Sequence, residues 1–255
     1  MADAASFDLA RFSLGDMLAC GRDLRARLDG AQSMEQAAQL AVRYLYESCR
    51  DPRTGDRACA LVRFYKTHPY GSLERSEQIF ARGLLGKQPV TNDMRCLTLL
   101  ASTGDEVAWC SRHTSTAHRA VPLASPSMVE QAPMIAALLR DFGVEIAEVV
   151  RPDPSLVKDR GGKSYGVFHV ERALGSPHIP AQAQFVEPWR IASVVGFGGP
   201  LQTGDLFAVI MFSRVPIPRE SAERFKSVAL EVKAAVFKFQ PHETFAARTG
   251  APAGS

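Results

Sequence analysis

The stretch from Tyr165 to Phe239 restricts the fold more than any other part of the chain. Tyr165–Val170 reads as a strand. Ile191–Phe197 is a second apolar, β-rich run that ends in Gly198–Gly199, and Leu206–Phe212 is a third. Gln202-Thr203-Gly204-Asp205 lies between the last two as turn chemistry, so they pair as an antiparallel hairpin. Pro216 and Pro218 stop the third strand, and a helix follows in which Ala222, Phe225, Val228, Ala229, Val232 and Val236 share one face. Leu230, Ala234 and Phe237 form a narrower stripe beside it, so this helix is expected to be buried on two sides, with the N-terminal helix or another subunit as second partner. A hairpin feeding a long helix calls for an α+β domain with a largely antiparallel sheet, and the lack of alternating βαβ units counts against a Rossmann-like arrangement.

Upstream elements read in the same way. Ser13 with Asp16 makes a capping box, followed by Leu14, Met17, Gly21, Leu24 and Leu28 at helical spacing. Ser33 with Gln36 opens a second helix carrying Ala37, Leu40, Ala41, Tyr44 and Leu45. Cys59–Tyr65 is a strand, and Leu73–Leu85 a helix with Ile79, Phe80 and Leu84 facing inward. Cys96–Leu100 and Val107–Cys110 read as a hairpin across Ser102-Thr103-Gly104-Asp105. A helix begins near Pro133 with Met134, Ile135, Leu138, Leu139 and Phe142 as its stripe, and Val144–Val150 reads as a short strand. Arg151–Lys163 is a charged loop punctuated by Pro and Gly and is expected to be a flexible surface. The divisions expected are an N-terminal segment and helix over 1–32, one domain over 33–240 with an extended 111–163 region, and a disordered tail over 241–255. Residues 1–12 read as a loose start.

Composition narrows the function classes. With 46% apolar residues, 22% charged and a net charge of +3, the 255-residue chain can bury a core and carries no basic surface that calls for nucleic acid. No apolar run is long enough to span a bilayer, and the first residues carry no basic patch followed by an apolar core, so no secretory signal is expected. Five scattered cysteines without a C-x-x-C pair fit reduced thiols, so the expected location is the cytoplasm.

Candidate site residues cluster in two places. Gly175-Ser176-Pro177-His178-Ile179-Pro180 cannot be regular helix or central strand. A stretch stiffened this way and carrying Ser176, His178, Gln182, Phe185 and Trp189 suits the cover of a small-molecule cavity, with His169 on the neighbouring strand. Arg112, His113 and His118, with Arg119, form a polar loop that either binds an anion or solvates a surface. Cys110, His113 and His118 are residue types that suit zinc or haem iron, but their spacing matches no standard site, so no metal site is assigned. No nucleophile, base and orienting group are spelled out together, so no catalytic residue is assigned. Gly196-Phe197-Gly198-Gly199 is neither a P-loop nor a dinucleotide fingerprint. It reads as a strand end needing small residues for twist or close backbone approach.

Four blocks sharpen the reading: Tyr165–Val170, Ala173–Gln182, Ser193–Leu201 and Gly204–Arg214. Together with Arg63–Tyr70, Cys96–Leu100 and Pro133–Ile135, they resemble the GAF-like sensory region of bacterial signalling proteins such as sensor histidine kinases. The resemblance spans roughly residues 33–238. It implies a central antiparallel sheet with the N- and C-terminal helices on one face and a ligand pocket on the other. It also implies pocket residues at His169, Ser176, His178, Gln182, Phe185, Trp189 and Phe197, and pairing of the terminal helices in a homodimer. Because one helix and a short tail leave no space for an output module, the signal is expected to reach a separate output protein. The cofactor is unknown. Alternative expectations are a haem sensor using His169, His178, His113 or His118, and a thiol-based redox enzyme using Cys110 with Cys96 or Cys59.

Overall fold

The computed structural model describes residues 6–152, 165–239 and 244–245. Six strands form one sheet: β1 (Cys59–Pro69), β2 (Arg95–Gly104), β3 (Ala120–Pro122), β4 (Gly166–Val170), β5 (Ser193–Pro200) and β6 (Leu206–Ser213). Their order is β3-β2-β1-β6-β5-β4, and every pairing is antiparallel. The expected β5–β6 hairpin is present, with Pro200 opposite Leu206 at its turn end. The helices are α1 (Leu14–Leu28), α2 (Met34–Ser48), α3 (Arg75–Leu85), α4 (Pro126–Glu130), α5 (Pro133–Asp141), α6 (Ile146–Val150), α7 (Arg219–Glu223) and α8 (Phe225–Phe237).

Side-chain alternation divides the sheet into two apolar faces. From β6, Phe207, Val209 and Met211 point to the layer of α1, α2 and α8, where they join Leu24, Leu45, Phe225 and Val232. Leu206, Ala208, Ile210 and Phe212 point the other way, toward α5 and the segments before β4 and β5. The α+β class, the antiparallel sheet and the layer of terminal helices on one face are therefore as expected. Ser13 caps α1 with the reciprocal Asp16 bonds of a capping box, and Ser33 caps α2. The glycines at the end of β5 serve close approach: a Cβ on Gly198 would lie 2.1 Å from the carbonyl oxygen of Phe207.

Several local expectations are corrected. Residues 95–104 form one continuous strand against β1, and Val107–Trp109 is a 3-10 turn rather than a return strand. The turn chemistry of Ser102–Asp105 is overridden because Ser102, Thr103 and Gly104 pair with Arg63, Val62 and Leu61. Residues 146–150 are a short helix, not a strand. On α3, Ile79 and Leu84 are exposed, while Glu77, Ala81 and Leu85 are buried, because Glu77 is drawn inward by two arginines. Phe7, Leu9 and Phe12 are buried, so residues 6–12 are no loose start. The loop and tail expectations fall on residues 153–163, 241–243 and 246–255, which lie outside the described residues. No helix among the described residues is long and apolar enough to cross a membrane.

Candidate functional site

The face of the sheet opposite the terminal helices is covered in large part by irregular chain. After β4, residues 171–192 fold over it, tied at the far end by the Ala173 amide donating to the Ala192 carbonyl at 2.8 Å. Gln182 clasps this segment: its Nε2 donates to the carbonyls of Ala173 (3.1 Å) and Ile179 (2.7 Å), and its Oε1 accepts from the Gly175 amide at 2.8 Å. With Pro177 and Pro180 supplying no amide protons, a side-chain amide provides what secondary structure elsewhere provides. A single π turn, Gln182–Val186, then carries Phe185 toward the sheet. Phe185 meets Phe212 edge-on at 4.9 Å, Trp109 stands 5.5 Å from Phe185, and Trp189 stands 4.7 Å from Trp109. Trp109 fits because Gly104 below it lacks a side chain: a Cβ there would lie 3.0 Å from the indole. Phe185, Trp189 and Trp109 are all half-buried.

Beside these aromatics the same face carries a polar spot. Arg63 lies between Leu61 and Tyr65 on β1, with Ser102 as its cross-strand neighbour. The guanidinium donates to the Tyr65 hydroxyl (3.2 Å), the Ser115 hydroxyl (3.2 Å) and the Ala117 carbonyl (3.4 Å). Its Nε and the Ser102 hydroxyl are buried without hydrogen-bond partners. His118 sits nearby in a left-handed conformation (φ 57°); burial, and then the Arg63 charge, hold its imidazole below the ordinary histidine value.

The expected site residues do not all converge. Phe185 and Trp189 meet in the aromatic cluster, and His178 stands edge-on to Phe168 at 6.1 Å on the same side, its Nδ1 buried and unpartnered. Ser176 accepts the His178 amide at 3.3 Å and shapes the turn, and Gln182 is used up as the clasp. Phe197 lies on the other face, 5.3 Å from Phe225 in the helix layer, so it does not line a pocket with the others. His169 is paired across β4 and β5 with Val195 of that helix layer, and its Nε2 bonds the Ile217 carbonyl at 2.8 Å. Burial lowers the pKa of His169. Arg112 is buried and held by Glu35, Glu74 and Glu77, and the exposed His113 stands 3.5 Å from Glu35. The four histidines, each a candidate axial ligand, thus differ in exposure and partners. Cys110, Cys96 and Cys59 sit in different surroundings. Cys110 is exposed and its thiol faces the Gly104 and Glu106 carbonyls; Cys96 packs under α3 with its pKa pushed up to about 12 by burial, and Cys59 lies against Cys49.

Sequence reasoning missed Arg63, Tyr65, Ser102, Trp109 and Ser115. The available signal was a cation in the middle of the otherwise uncharged run Cys59–Tyr65. Elsewhere, an open cleft of about 350 Å³ lies between α2 and the end of β2, lined by Arg43, Tyr46, Arg57, Asp105 and Cys110 among others. It has little chemistry to offer, because Asp105 is already taken by the Tyr46 hydroxyl and by Arg214. The apolar face with its irregular cover is the better candidate.

No known family profile matches the chain, and no curated protein does. Among solved structures, it is similar to the GAF domain of a phosphoenolpyruvate-protein phosphotransferase from Coxiella burnetii. That pair is 11% identical over 86% of this chain and 92% of the other, with a TM-score of 0.46. A phycoerythrobilin-bound GAF domain of a cyanobacterial phytochrome gives 9% identity over 88% and 95%, with a TM-score of 0.42. An N-acylhomoserine lactone-dependent LuxR family transcription factor from Burkholderia cenocepacia gives 12% identity over 89% and 98%, with a TM-score of 0.38. All three likenesses are distant, and the architecture described above stands on its own strand order and layers.

Proposed function

We propose that this chain is a small-molecule-binding regulatory domain of the GAF-like kind, whose ligand lies between the sheet and the irregular cover formed by residues 105–119 and 171–191. One observation carries the reading: three half-buried aromatic side chains of this cover, Trp109, Phe185 and Trp189, gather against an apolar sheet face whose opposite side is packed with helices. Apolar walls with a few polar groups, closed by movable chain, are what a small-molecule site requires. Ligand would favour one arrangement of the cover, and a ligand indifferent between arrangements would shift nothing. Strand β5 offers the coupling path, since Val194 faces the cover while Phe197 touches Phe225 of α8.

The chain has two tryptophans, Trp109 and Trp189, and both stand in this cluster, so their emission reports on it. A small molecule that raises the melting temperature is expected to change the tryptophan emission saturably over the same concentration range. Stabilisation without any emission change would overturn the assignment of the site.

The terminal helices supply the second half of the reading. Leu14 and Leu18 on α1 and Leu230 and Phe237 on α8 are 48–63% exposed, so the N-terminal helix does not cover the second stripe of α8. We infer that these side chains pair between two copies, and that the dimer acts in the cytoplasm on a separate output protein, as in two-component and related signalling. Light scattering is expected to give the dimer mass for the native chain and the monomer mass for Leu18→Glu with Leu230→Glu. A monomeric native chain would contradict the pairing.

A further inference from the structure

Among the described residues the side chains of one lysine and two arginines are buried, and their treatment differs. Lys66 is paired with Asp205 at 2.7 Å, and Arg112 is surrounded by Glu35, Glu74 and Glu77. Arg95, nearly as buried, shares Asp205 with Lys66. Arg63 is 6% exposed and, among the described residues, has no carboxylate partner. A buried charge without a counter-charge is costly, and chains tolerate one chiefly where something binds to it. Its acceptors are two hydroxyls and one carbonyl, its Nε is unused, and the adjacent Ser102 hydroxyl is buried with nothing to bond. These unsatisfied groups share one sheet face with the aromatic cluster. Arg63 is two residues along β1 from Leu61 of that layer, a rise of roughly 7 Å.

We propose that Arg63 is the recognition residue for an anionic ligand: a small carboxylate with a planar, apolar body, its carboxylate on the Arg63 guanidinium and its body toward Trp109 and Trp189. This rests on the ligand-binding reading given above and names the class of molecule bound there. The planar fork of a guanidinium takes a carboxylate through two parallel N–H bonds, and the hydroxyls of Ser102 and Tyr65 are donors beside it. The arrangement also supplies the switch. Ser115 and Ala117, which accept the guanidinium N–H groups in this structure, belong to the loop that covers the face. A bound carboxylate replaces them as acceptor and frees that loop, so occupancy and cover conformation are linked through the same N–H groups.

The test compares sodium benzoate with benzamide, a neutral molecule of the same shape, on the native chain and on Arg63→Met, by melting temperature and tryptophan emission. On the native chain, benzoate is expected to bind at least about tenfold more tightly than benzamide, as befits charge-assisted hydrogen bonds. Arg63→Met should bind the two alike and melt no lower than the native chain, because an uncompensated buried charge has been removed. Equal binding of both probes to the native chain would overturn the anion assignment and leave the site itself standing. Benzoate binding unchanged in Arg63→Met would also overturn it. Emission that responds to neither probe nor to any stabilising molecule would remove the site reading as well. Should Arg63→Met fail to fold, Arg63→Lys keeps the charge and loses the fork; it is expected to weaken benzoate by about fivefold or more and leave benzamide unaffected.

Discussion

Replacing Arg112 with alanine is expected to destabilise the fold by about 3–5 kcal/mol, the cost of stripping a buried charge cluster of its partner. The guanidinium donates to Glu35 at 2.7 Å, to Glu74 at 3.1 Å and to Glu77 at 3.2 Å, and so ties the start of α2, the N-cap of α3 and α3 itself to the loop after β2. It also covers the Phe245 ring at 4.9 Å. Without it three carboxylates face one another, with Arg119 still on Glu77. The pH dependence distinguishes this account from simple loss of packing. Burial opposes ionisation of Glu77, but the Ser76 and Arg119 hydrogen bonds outweigh it and leave the pKa below the ordinary glutamate value. A depressed carboxyl pKa contributes stability that is present above the unfolded value, near 4.5, and is lost as the pH falls through the folded one. In Arg112→Ala, repulsion from Glu35 and Glu74 opposes ionisation of Glu77, so mild acid relieves the variant at a pH above the range in which the native chain weakens. Urea unfolding at neutral pH and near pH 5 should therefore show the gap narrowing; a gap independent of pH would refute the electrostatic account.

Phe225→Ala is expected to cost about 3–5 kcal/mol as well, for a different reason. The ring is fully buried at the start of α8, stacked on Phe12 at 4.8 Å and tilted against Phe197 of β5 at 5.3 Å. It joins the N-terminal segment, the last helix and the sheet in one contact. A cavity there cannot close easily, because three separate elements would have to move together. The urea midpoint should fall sharply at an unchanged slope.

Much of the fold was legible because its signals are local. The capping boxes at Ser13 and Ser33 and the β5–β6 hairpin depend on residues a few positions apart, and each appears as read. The failures have non-local causes. Ser102–Asp105 carries the chemistry of a turn, yet pairing with β1 holds residues 102–104 in a strand. Leu100 is an extra residue there, since Phe64 pairs with Ala101 and Tyr65 with Leu99, and no local pattern announces such a bulge. The side of the sheet that Phe197 takes, the helix layer, is not legible in sequence, because β5 is buried on both sides and its run of apolar residues carries no phase. At the candidate site, the proline-stiffened segment makes legible that Phe185 and Trp189 belong to a cover over the sheet. Arg63 was not legible, since what singles it out is the absence of a carboxylate, and that emerges only when the distant elements are assembled. Arg112 shows the converse: a polar loop residue in sequence, it becomes a buried tie once Glu35, Glu74 and Glu77 arrive from two helices.

Hydrogen exchange, with and without the small molecule that raises the melting temperature most, tests the central claim most directly. The account predicts slower exchange in residues 173–191, where the cover closes on the ligand, and altered exchange in the loop over 105–119. A smaller change is expected in α8, with the centre of β6 unaffected. Protection confined to α1 and α8, or to the cleft around Tyr46 and Asp105, would contradict it and move the binding site off this face of the sheet.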